Sequence, residues 1–301
     1  MFLLMVLAAI PTAGNAASDT GSRQDQGMLS LLPRSFRDNP SVDETVITEM
    51  TDEGRKLTPP SPEHPAYYVA RPMGYHAEGH GTAAERPPPE SLLEDRVRQA
   101  LAVNSYLPAA PGKPPTLLIV YVWGVHNNLD AGTEDSGAFP DVKHRNLLSR
   151  ASLVGGTRFA GELKAALERQ DRVYDVTAMP LLDPVRLFTE HDPKTRQLVE
   201  LSKANCYYVV ASAYDYVAGA HGDRILLWRS KMTVDAQGVS MAEALPTLIL
   251  HAGEFLGRDM SEAATMARRI KLAGHSTLGP LEVNEYLEKP PGPAPAPERK
   301  P

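Results

Sequence analysis

One cysteine, Cys206, stands among 301 residues, so no disulfide can form within the chain. The sequence is therefore not one of the small scaffolds held by cross-links. Charge of one sign is also scarce: 31 basic residues against 37 acidic ones leave a net charge of −6, with no Lys/Arg cluster able to neutralise a phosphate backbone. Nucleic acid is excluded as an expected partner. No apolar run reaches the roughly 18–20 residues that cross a bilayer. There is no internal repeat and no complete nucleotide-binding, metal-binding or catalytic signature, so no cofactor is expected.

What is present begins with an address. "MFLLMVLAAIPTAGNAAS" has an apolar stretch from Phe2 to Ile10, then Pro11, then small residues at Gly14 and Ala16. Apart from a missing basic n-region, that is the order of a secretory signal peptide cleaved after Ala16. No cysteine follows the cleavage point, so no lipid anchor is expected on the mature chain, and the apolar run is too short for a transmembrane anchor. The expected destination is the periplasm or the extracellular space.

Residues 17–89 are polar and punctuated by proline ("LTPPSPEHPAYY", "AERPPPE"). They read as a loosely ordered arm, because little apolar surface is available to offset the entropy of ordering them. Residues 274–301, ending in "EKPPGPAPAPERKP", read as a disordered tail for the same reason. Between them, residues 90–273 carry periodic elements. "PESLLEDRVRQALAV" predicts a helix with a capping box at Ser91 and Glu94, and "TLLIVYVW" a strand covered on both faces.

"TRFAGELKAALERQ" predicts a second helix and "VYDVTAM" a short strand. Asp183-Pro184 and Asp192-Pro193 start two further helical pieces. "CYYVVASAYDY" and "RILLWRSKMTV" flank a short glycine-containing turn and predict an antiparallel hairpin. On it Cys206 packs as a buried thiol, Leu226, Trp228, Met232 and Val234 face the core, and Arg229 and Lys231 face solvent. Ser240 and Glu243 cap a helix that Pro246 should kink, and a last helix is expected over residues 261–272. This alternation predicts an α/β fold: a mostly parallel sheet with an antiparallel edge hairpin, and helices on both faces.

The blocks "LVELSKANCYYVVASAYDYV" and "RILLWRSKMTVDAQG" resemble the second half of a small α/β domain of bacterial envelope proteins, that of the curli-secretion lipoprotein family and of the Tol–Pal propeller protein's N-terminal region. Ala204, Tyr207 to Val210, and Asp235 to Gly238 carry the likeness. Ser212-Ala213 stands where those proteins have a glycine, and no propeller follows. The resemblance implies a non-catalytic, envelope- or secretion-associated domain and assigns no binding residue.

The segment after Trp123 is the leading candidate site. His126, Asn127, Asp130, Glu134, Asp135 and His144 could supply ligands for a small molecule or a divalent cation, or a general base. They follow the carboxyl end of the most buried strand, where open α/β sheets bind ligands. The simpler reading makes "VWGVHNN" the point where a strand meets water: Gly124 permits a sharp exit, Asn127 and Asn128 bond the turning backbone, and His126 is a surface or loop-packing residue. Asp141 belongs to the same polar segment.

In "YHAEGHG", His76, Glu78 and His80 lack the helical H-E-x-x-H spacing of zinc proteases and read as chance spacing in the arm. "LVGGTRFAG" places glycines before a helix without a phosphate-loop spacing. The expected function is that of an exported, non-catalytic protein with a binding or assembly role and an envelope or secreted protein as partner. The alternatives are a metal-dependent or hydrolase-like secreted enzyme with its site in residues 124–150, and recognition through the Pro-rich arm.

Overall fold

The computed structural model describes residues 41–79, 86–128, 140–174, 184–190 and 192–269. The expected signal peptide and the tail from 274 onward lie outside the described residues. In chain order the elements are β1 (Ser41–Met50), α1 (Asp52–Arg55), β2 (Ala66–Glu78), α2 (Glu90–Val103), β3 (Tyr106–Pro108), β4 (Leu117–His126), α3 (Pro140–Tyr174), α4 (Pro184–Glu190), α5 (Pro193–Lys203), β5 (Cys206–Asp215), α6 (Tyr216–Ala220), β6 (Leu226–Asp235), α7 (Met241–His251), a 3-10 turn (Ala252–Phe255) and β7 (Ala264–Arg269).

The strands form one seven-stranded sheet in the order β3-β2-β4-β5-β6-β1-β7. This corrects the expected mostly parallel sheet: β2 pairs in parallel with β3 and β4, and every other pairing is antiparallel. Alternation of helix and strand does not set strand direction. The helices α3, α4 and α5 bring the chain back to the end of the sheet it left, so β5 starts at Cys206 beside His126 and runs opposite to β4. The β5–β6 hairpin does form, as a central pair of the sheet and not as an edge.

Two strands come from the segment read as a loose arm, so residues 41–78 belong to the folded unit. β1 lies between β6 and β7, and β2 lies between β3 and β4. Proline hid them. Pro72 sits at the irregularity where the β2–β4 register shifts, a place at which a missing N–H breaks no ladder. The helix expected over residues 261–272 is also corrected: β7 closes the open side of β1, pairing Val46 with Ala264 and Ser41 with Arg269. An unpaired strand edge outweighs a modest helical pattern. Of the expected strand "VYDVTAM", Val173 and Tyr174 end α3 and the rest lies outside the described residues.

Strand alternation divides the interior in two. Val46 packs with α2, α7 and one side of β4, β5 and β6, while its neighbour Ile47 packs with α3, α4 and α5. Helices therefore do cover both faces. On the first face Trp228 is buried beside Tyr106, their rings 5.7 Å apart. α2 starts at Glu90, so Ser91 falls inside the first turn and makes no cap; α7 runs through Pro246 as one element. Asp192 does cap α5, accepting from the amides of Lys194 and Thr195.

Candidate functional site

β2 and β4 are parallel neighbours, so their carboxyl ends lie side by side, with Glu78 directly opposite His126. The backbones approach so closely that a Cβ at Gly124 would collide with the His76 carbonyl oxygen. Gly124 thus serves the contact with β2, not a sharp exit, and β4 continues two residues further. Past the strand end, the Asn127 amide donates to the Glu78 carbonyl at 2.9 Å. The Asn128 amide donates to Asn205 Oδ1 at 2.7 Å, and its side chain donates to the Lys203 carbonyl.

α3 lays a polar face over this corner. Asn146, Ser149 and Arg150 are spaced i, i+3, i+4 and therefore share one side of the helix. Arg150 is 1% exposed and donates from Nε to the Ser202 carbonyl at 2.6 Å and from Nη1 to the Asn127 carbonyl at 2.9 Å. Asn146 Oδ1 also accepts from Nη1. One guanidinium thus ties α3 to the end of β4 and the end of α5, giving the carbonyls of Asn127 and Ser202 a charged donor.

His126 is 1% exposed, so of the two places expected for it, the surface or a packed loop, the surface is excluded. Its Nε2 lies 2.9 Å from Glu78 Oε2 and 3.1 Å from Ser149 Oγ, while its Nδ1 is buried with no hydrogen-bond partner. Burial draws its pKa below the ordinary value, as does the nearby Arg150 charge; Glu78 pulls the other way. A serine, a histidine and a carboxylate do meet here. A nucleophile relay, however, needs the carboxylate on one imidazole nitrogen and the serine on the other. Here both crowd one nitrogen, which can donate to each but cannot also take the serine proton.

Of the residues singled out in the sequence, His126, Asn127 and Glu78 join this cluster. Asp130, Glu134, Asp135 and His80 lie outside the described residues, and of Asp141 only the helical backbone is described. His144 precedes Asn146 by two positions, which turns it about 200° around α3 from the face that meets His126. His76 is exposed. Among the described residues no three His, Cys, Asp or Glu side chains are grouped to hold a metal ion. Ser149 and Arg150 were not singled out in the sequence, and Glu78 was, but as chance spacing beside His76 and His80 and not as a partner of His126. The helical spacing of 146, 149 and 150 was a visible signal; the Glu78–His126 pair depends on a strand register that spacing does not reveal.

The glycine turn also has an answer. Gly156 adopts φ 86° and splits α3 into two helical segments. The amide that opens the second segment, that of Thr157, is bound by Glu49 Oε1 at 2.6 Å, and the Thr157 hydroxyl by Oε2 at 2.9 Å. The protein's own carboxylate occupies the place a phosphate would take. Lys231 lies 2.8 Å from Glu49 and 3.0 Å from Ser152 Oγ, buried and not in solvent as its alternation suggested. Burial would raise the Glu49 pKa, but Lys231 and Thr157 outweigh it and hold it below the usual carboxylate value. Cys206 is buried and its thiol is pushed up to about 12 by desolvation, which makes it inert.

A well-formed concavity lies elsewhere. A cleft of about 670 Å³ opens where the loop after α1 roofs the corner between α2 and β3, with Leu57, Pro60, Val103 and Leu256 among its walls. An adjoining lobe of about 240 Å³ reaches Trp228 and Leu117. Asn104 ends α2 and lines the larger part. Its Nδ2 donates to the carbonyls of Gly253 and Leu256, both at 2.8 Å, and its Oδ1 is buried without a partner. Arg55 at the rim is held by Asp259 at 2.9 Å. No family model matches the chain, and no curated protein matches it in sequence.

Proposed function

We propose that this chain is an exported, non-catalytic protein that works by binding or assembly in the cell envelope or outside the cell. The wiring of His126 carries the reading: Glu78 and Ser149 meet the same ring nitrogen, so the cluster locks β2, β4 and α3 together instead of activating a nucleophile. The buried Lys231 and Arg150, and the half-buried Glu49 that Lys231 holds, are likewise engaged with the fold itself. The leader from Phe2 to Ala16 and the likeness of the β5–β6 region to an envelope domain support the same compartment.

A second reading, a hydrolase-like or metal-dependent enzyme with its site in residues 124–150, rests on the convergence of His126 with Ser149. One experiment separates the two. Hydrolysis of p-nitrophenyl acetate is measured for the full chain and for Ser149→Ala, with and without added zinc, calcium or manganese. Equal background rates are expected. A rate that falls with Ser149→Ala, or that a metal restores through His126, would put the enzyme first. Export is tested by N-terminal sequencing of secreted material, which should begin at Ala17.

A further inference from the structure

We infer that the cleft under the Leu57–Pro62 roof is a ligand site for a small organic anion with an apolar body and one N–H or O–H donor, the chemistry of an N-acylated hydrophobic amino acid. This deepens the binding role proposed above and rests on it. The volume, about 670 Å³ in the main part, falls in the range of small-molecule sites. The walls are mainly apolar: Met50, Leu57, Pro59, Pro60, Val103 and Leu256.

Two polar features say what must accompany the apolar body. The first is Asn104, 9% exposed, whose Oδ1 has no partner. The amide orientation is dictated, because only an NH2 group can face the two carbonyls of Gly253 and Leu256. What remains is an acceptor beside the cleft, and a buried acceptor left empty costs its desolvation, so a ligand donor is favoured there. The second is Arg258, which lines the cleft and forms no ion pair among the described residues. The other charges lining the larger part, Arg55 and Asp259, neutralise each other. One cation is left over, and it selects an anionic group. In the smaller lobe, the carboxylate of Asp215 already accepts from the Ala218 amide at 2.9 Å.

Trp228 lines that smaller lobe and is one of two tryptophans in the chain. Its emission therefore reports on occupancy. The full chain is titrated with N-acetyl-L-phenylalanine, with N-acetyl-L-phenylalanine amide, which lacks the charge, and with phenylpropionate, which lacks the donor; calorimetry gives the stoichiometry. One equivalent of the acid should bind with a saturable change in emission, and each analogue should bind about tenfold or more weakly. Arg258→Ala, a change at an exposed position, should bring the acid down to the level of the amide, and Asn104→Leu should remove the preference over phenylpropionate. No saturable binding of the acid, or equal binding of acid and amide with Arg258→Ala silent, overturns the assignment. Either result leaves the non-catalytic reading standing, since that reading falls to hydrolysis that depends on Ser149 or on a metal acting through His126, and neither is read by this titration.

Discussion

The two faces of the sheet are built on different principles. The face under α2 and α7 is packed with Trp228, Tyr121, Leu101, Leu245, Leu248 and their neighbours, and its one buried carboxylate, Glu44, sits at its margin against His251 at 2.8 Å. The face under α3, α4 and α5 has a smaller apolar cluster, interrupted by Lys231, Glu49, Arg150 and His126. Apolar contact is non-directional and fixes how much is buried. Hydrogen bonds to a guanidinium or a carboxylate are directional and fix which residue stands where. α3 needs that, because Gly156 interrupts it in the middle.

The comparison can be broken from the apolar side first. Trp228→Ala should cost about 3–5 kcal/mol, read from the urea midpoint, since a fully enclosed indole leaves a cavity the surroundings cannot fill. A near-neutral result would mean that this face is loosely packed. On the polar face, Arg150→Met should cost about 2–4 kcal/mol, because it leaves the carbonyls of Asn127 and Ser202 buried without that donor.

A smaller effect sharpens the distinction. Glu49→Gln and Lys231→Met, made singly and together, should show a coupling of about 1–2 kcal/mol in denaturation, with the double variant less destabilised than the sum of the singles. Additive losses would show that the pair is not coupled.

The smallest expected effect is one of pH, and the two faces should respond with opposite sign. The His126 pKa lies below its ordinary 6.5 when folded, chiefly through burial, so the unfolded chain binds more protons in that window. Its contribution is complete above 6.5 and is lost as pH falls toward the lowered folded value. Glu44 is raised above 4.5, again chiefly by burial, with the His251 bond opposing. It therefore favours the fold as pH falls from the raised value toward 4.5. Urea midpoints across this range should slope less just below 6.5 in His126→Asn than in the natural chain; identical slopes would contradict the burial argument.

How much of this was legible depended on how local the cause was. The stripe on α2, the Asp192 cap of α5 and the β5–β6 hairpin are written in neighbouring residues, and each was read from them. β1 and β2 were not, because the prolines in and around them suggested an arm and their partners lie far along the chain. The candidate site was half legible: His126 and Asn127 were named, but their environment comes from Glu78 on β2 and from Ser149 and Arg150 on α3.

The amino-acid order by itself determined the helical stripes, the hairpin and the absence of an internal disulfide, since period, caps and composition act over a few residues. Only the tertiary structure decided strand direction, the burial of His126 and Lys231, and the cleft at Asn104. The reason is physical: these follow from which distant segments share a sheet, and that is set by burying surface and satisfying backbone groups across the whole chain.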